Sequence, residues 1–93
     1  MYNFERSDKL IKILEKLFKK DKGRYEATLN KINEVINSED PEHYKNLSHD
    51  MKQFKRVHID SHFVLTFKVD KYNNLIKFED LQHHDIIYHR KKW

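Results

Sequence analysis

Cysteine is absent from the 93 residues, and glycine, proline and tryptophan occur once each. Without thiols the chain has neither a disulfide framework nor a thiolate zinc cluster, and nothing points to an oxidising compartment, so a cytoplasmic setting is the default expectation. No run approaches the roughly 20 apolar residues that span a bilayer, so no membrane association is expected. The first residues also lack the basic, apolar, small-residue pattern of an export signal. What the chain does have is charge and aromatic rings. Charged residues make up 37%, hydrophobic residues 38% and aromatics 13%. Such a polar balance suggests disorder only where the apolar residues are scattered, and here they recur periodically. One folded domain over residues 1–93, with room for a single core, is the expectation. The formal net charge of +4 makes a polyanion the natural partner to test.

"YNFER" alternates Tyr2, Phe4 and Arg6 as a short first strand would. From Ser7, an N-cap candidate followed by Asp8, the positions Leu10, Ile13, Leu14, Leu17 and Phe18 recur at helical spacing. That stripe ends in Lys19, Lys20 and Lys22, and Gly23 is expected to break it. Tyr25, Leu29, Ile32, Val35 and Ile36 form a second stripe, so an antiparallel helical hairpin with a very short connection is predicted. Pro41, in "NSEDPEHYKN", marks the loop that follows.

After that loop the period changes to two. In "FKRVHID" Val57 and Ile59 share one face, and Phe54, Arg56 and His58 the other. In "HFVLTFKV" Phe63, Leu65, Phe67 and Val69 oppose His62, Val64, Thr66 and Lys68. Asp60 and Ser61 read as a tight hairpin turn, "DKYNN" as a second turn, and "LIKFEDL" as a third strand with Ile76 and Phe78 turned to the core. The fold class is therefore α+β, with the helical hairpin covering one face of a small antiparallel sheet. The uncovered face is expected to carry Arg56, His58, His62, Thr66, Lys68 and Lys77.

All seven histidines fall after position 42. They permit two chemistries. Imidazoles with Asp60 or Asp85 suit zinc, but His83 and His84 are adjacent, and neighbours on a strand point to opposite faces. No metal-ligand spacing of the HExxH kind occurs either, so no metal site is assigned. The second chemistry is acid–base cleavage of a phosphodiester, which needs a base for the 2′-hydroxyl, an acid for the leaving 5′-oxygen and cations for the phosphoryl oxygens. Histidine fills the first two roles at neutral pH, and arginine and lysine the third. Tyr88 suits hydrogen bonding or stacking better than proton abstraction. The tail "HRKKW", with Arg90, Lys91 and Lys92, reads as a solvated terminus.

The stretch "YKNLSHDMKQFKRVHIDSHFVLTFKVDKYNNLIKFEDLQHHDIIY" resembles the RelE/ParE superfamily of toxins. The likeness is nearest to RelE-like messenger-RNA interferases, among them histidine-rich YafQ-type and archaeal relatives. The resemblance implies a toxin of a type II toxin–antitoxin system: a metal-independent endoribonuclease that cuts messenger RNA in the ribosomal A site, needs no cofactor, and is held inactive by a RelB-like antitoxin. It places basic positions at Arg56 and His58, the position after the first hairpin turn at His62, the C-terminal basic position at His84 and the terminal aromatic at Tyr88. The expected catalytic set is thus His84, His58, Arg56 and Tyr88, with base and acid not assigned between the two histidines. Lys52, Lys55, His62 and His83 are the expected substrate-binding set. Two positions depart from the family pattern: Val64 stands where many relatives have arginine, and Gln53 where glycine is common. The ParE-like alternative uses the same scaffold to inhibit DNA gyrase by protein binding, without cleavage.

Overall fold

The computed structural model describes residues 1–47 and 53–89, the side chains of 87–89 excepted. Helix α1 (Asp8–Lys20) begins where Ser7 accepts the Leu10 N–H on its hydroxyl at 3.0 Å. Leu10 and Leu14 are its buried positions, with Ile13 and Leu17 packed beside them. Helix α2 (Lys22–Ile36) follows after the single residue Asp21. The expectation that Gly23 ends the first helix is corrected here, because Gly23 sits inside the first turn of α2 with no positive φ. The break lies at Asp21, whose backbone leaves the helical region and whose carboxylate accepts the Arg24 N–H at 3.1 Å. A side chain that offers the backbone an alternative acceptor starts a new helix more effectively than a glycine two residues later.

One 3-10 turn, Pro41–His43, leads out of the helices. The sheet comprises β1 (Asn3–Arg6), β2 (Lys55–His58), β3 (Phe63–Asp70) and β4 (Leu75–His83), and a short helix α3 (His84–His89) ends the described chain. Strand order is β1-β4-β3-β2. The meander of β2, β3 and β4 is antiparallel, as its turns require, and β1 joins β4 in parallel, which makes the sheet mixed. Parallel neighbours need a long crossover, and α1 and α2 form part of it. Residues Ile59 to His62 make the first turn, with Asp60 accepting the N–H groups of His62 and Phe63. Asn74 closes the second at φ 54°, a left-handed conformation that asparagine tolerates better than most residues.

The helices and sheet enclose Leu10, Leu14, Ile32, Val35, Ile36, Leu65, Phe67, Ile76, Phe78 and Leu81. The rings of Phe67 and Phe78 lie 5.6 Å apart at its centre, and Tyr44 meets Phe67 edge-on at the same separation. The opposite face is less open than the alternation suggested. Leu47 and Val64 are buried there with Phe54 against them, and Thr66 is fully buried. The cover comes from the segment before β2. Leu47 donates its N–H to Phe54, and Arg56 donates to Lys45, so residues 45–47 lie along the outer edge of β2 and drop Leu47 onto the face. Thr66 is therefore removed from the expected solvent-facing set, and Val64 on the same face is buried as well.

Candidate active site at the end of the sheet

Four histidines gather where β2 and β4 end and β3 begins. His58 is the last residue of β2, His62 precedes β3, His83 ends β4, and His84 opens α3. The rings of His58 and His84 stack with centroids 5.9 Å apart and planes inclined by 30°. His62 and His83 form a second stack at 5.8 Å and 6°. The adjacent pair His83 and His84 is split between the two stacks, because consecutive residues at a strand end diverge. A backbone bond from the His84 N–H to the His62 carbonyl, 2.6 Å, ties the two stacks together.

The surroundings of the stacks differ. His83 also meets Phe63 edge-on, and the Arg24 guanidinium lies 3.9 Å over that Phe63 ring. Arg24 in turn pairs with Asp60 at 3.2 Å. The His62–His83 stack thus belongs to a structural cluster that joins α2 to the first hairpin. His58, stacked on His84, instead has Arg56 as its charged neighbour, whose Nε donates to the Asn46 carbonyl at 3.3 Å. Although solvent reaches His58, partial burial is the first cause that lowers its pKa, followed by the Arg56 guanidinium and the His84 imidazole. All three disfavour imidazolium, so His58 stays a neutral acceptor of protons further into the acid range than a free histidine. His84 has a carboxylate neighbour instead: its Nδ1 is 3.5 Å from Asp85.

Of the sequence-derived candidates, Arg56, His58 and His84 are brought together. His62 and His83 are near them in space but stacked on each other. Lys55 is separated from Arg56 and His58 by strand alternation, and its ammonium binds Asn46 Oδ1 at 2.9 Å. Lys52 lies outside the described residues. Tyr88 falls within α3, but its side chain is likewise outside them. Residues that periodicity did not single out are His43, Tyr44 and Lys45, which line a cleft of about 380 Å³ with Arg56, Val57 and His58. The signal available in the sequence was the dipeptide His43–Tyr44 beside Lys45, an aromatic pair next to a cation, placed in what reads as a loop.

Among the described residues no group of three or more His, Asp or Glu side chains is arranged to hold a metal ion. No helix among them is long and apolar enough to cross a membrane.

No protein-family model matches the chain. Individual proteins do. A Methanocaldococcus jannaschii protein named "Putative toxin RelE4" is 50% identical over 92 residues, which covers 99% of this chain and 96% of that one. A Methanosarcina mazei protein that bears no functional name is 44% identical over 88 residues, covering 95% of this chain and all of its own. Among solved structures, a metal-bound toxin from Helicobacter pylori superposes with a TM-score of 0.73 over 92% of this chain and 98% of its own, at 22% identity. That likeness speaks for the fold, whereas the near full-length identity to the archaeal protein speaks for the family. The chain, a small α+β domain with a histidine-lined sheet end, belongs to the RelE-like toxins of toxin–antitoxin systems.

Proposed function

We propose that the chain is a metal-independent endoribonuclease that cuts messenger RNA in the ribosomal A site and so stops translation, with His58 as general base and His84 as general acid. The carrying observation is the His58–His84 stack, with Arg56 as the charged neighbour of His58. Neutral His58 takes the proton of the 2′-hydroxyl. The 2′-oxygen attacks phosphorus, the bond from phosphorus to the 5′-oxygen breaks, and His84, protonated, gives its proton to that oxygen. The products are a 2′,3′-cyclic phosphate and a free 5′-hydroxyl. Arg56 braces the phosphoryl oxygens as charge gathers on them. Asp85 lies 3.5 Å from the His84 ring. Tyr88 orients or stacks on a base, and Lys52 and Lys55 attract the backbone.

A RelB-like antitoxin holds the chain inactive by covering this basic sheet end, and the setting is the cytoplasm, where ribosomes are. Primer extension on translated messenger, with chelator present, tests the reading. Discrete cuts that disappear in His58→Ala and His84→Ala are expected. Intact messenger, or cuts abolished by chelator alone, would reject it. If growth inhibition survives both substitutions, the ParE-like, protein-binding alternative takes its place.

A further inference from the structure

We infer that the cleft lined by His43, Tyr44, Lys45, Arg56, Val57 and His58 is a nucleobase subsite, which takes the base of a ribonucleotide adjoining the bond to be cut. It rests on the ribonuclease reading for the bond it adjoins, but not for the class of ligand. The cleft arises from the way the chain leaves the edge of β2. Outer-edge pairing reaches the Arg56 N–H, which Lys45 accepts, and beyond Lys45 the chain climbs into the 3-10 turn. Backbone polar groups on a strand point alternately to its two edges, so those of His58 face the same outer side as those of Arg56. The floor thus offers backbone donor and acceptor groups of the kind that read the edge of a base.

Its wall is aromatic. The His43 ring lies 4.2 Å from that of Tyr44, and Tyr44 is anchored on the core ring of Phe67. His43 is itself exposed, so a planar ligand can reach its ring. Its orientation is fixed: Nδ1 donates to the Asp40 carbonyl, which leaves Nε2 as an acceptor in the neutral ring. The Tyr44 phenol holds its proton, because burial first and Glu34 second raise its pKa, with Lys31 opposing. Lys45 and Arg56 supply cations at the rim, where a phosphate joined to the bound sugar would lie. A volume of about 380 Å³ falls within the range of about 300–1,000 Å³ usual for small-ligand sites. Aromatic wall, hydrogen-bonding floor and cationic rim together describe a nucleotide, with its base inside.

The full chain, labelled with nitrogen-15, is titrated with each of the four ribonucleoside 5′-monophosphates and, separately, with ribose 5-phosphate. The expected result is saturable amide shifts centred on His43, Tyr44, Lys45 and Val57 with at least one nucleotide and none with ribose 5-phosphate. His43→Ala, whose dispersed spectrum reports folding, should weaken that nucleotide by about fivefold or more, the least that one lost base stack produces. Equal shifts with ribose 5-phosphate, no shifts with any nucleotide, or unchanged affinity in His43→Ala would overturn the subsite. The cleavage assay is independent of this outcome. A chain that cuts messenger but leaves the cleft empty rejects the subsite alone, and one that fills the cleft but cuts nothing rejects the nuclease alone.

Discussion

Lys9, in the first turn of α1, donates to the carboxylate of Asp80 at 2.9 Å across the edge of β4. Asp80 is almost fully buried, while half of the Lys9 side chain remains in solvent. The Leu81 N–H and the Gln82 amide complete the carboxylate's bonds. The contact clamps the start of the helical hairpin to the strand that carries His83 and leads into His84. Breaking a buried pair costs more than forming it contributes, because the remaining charge is stranded. Lys9→Met is therefore expected to lower unfolding stability by about 1–3 kcal/mol, less than a fully buried pair because of the exposed ammonium. Urea denaturation measures it, and an unchanged midpoint would show that the clamp is idle.

For the histidine stack, His58→Ala and His84→Ala are each expected to slow cleavage by about 10²- to 10⁴-fold, the usual contribution of a positioned acid or base. Thermal unfolding should hardly move, since neither residue belongs to the core. His83→Ala, by contrast, removes a stacking partner of His62 and Phe63. Its first effect should be on stability, with a smaller loss of rate.

The acid limb of the pH–rate profile should lie below the ordinary imidazole range, because the His58 pKa is lowered. Arg56→Gln removes the second of its causes and should move that limb to higher pH, besides reducing the rate. A limb that stays in place would show that His58 is not the group titrating. Stability follows the same sign. Between the lowered folded pKa and the ordinary unfolded one the unfolded chain binds more protons, so stability falls as pH drops through that window. His58→Gln should flatten this part of the stability curve.

The resemblance to the RelE family would set an arginine where this chain has Val64. In this chain it is fully buried against Leu47 and Phe54. Val64→Arg is therefore expected to destabilise the protein and not to enhance cleavage, since a guanidinium cannot enter that cluster without expelling Leu47. Leu47→Ala tests the same cluster from the other side and should cost about 2–4 kcal/mol, as burial of leucine in a packed core implies. Chemical denaturation of both variants checks the pair.

Much of this architecture was written into local pattern. The helical stripes of Leu10 to Phe18 and Tyr25 to Ile36, the Ser7 cap, and the alternation through Phe63 to Val69 are signals of period and capping, which act over a few residues. The short strand at Asn3–Arg6 was legible too, but not its parallel pairing with β4, which is a matter between distant segments. The divergence of His83 from His84 likewise follows from strand geometry alone.

Other features were decided only when the chain closed on itself. The burial of Val64 depends on Leu47 reaching back over the sheet, and alternation says which face a residue occupies, not what will cover it. The His58–His84 contact depends on strand register, a sum over many pairings that no short window contains. The cleft at His43, Tyr44 and Lys45 depends on the edge segment that pairs with β2 as far as Lys45 and brings these residues beside Arg56, Val57 and His58. The amino-acid order by itself set the elements, their caps and the chemistry available. Tertiary packing chose which imidazoles meet and which surfaces stay open, because those outcomes depend on contacts between residues far apart along the chain.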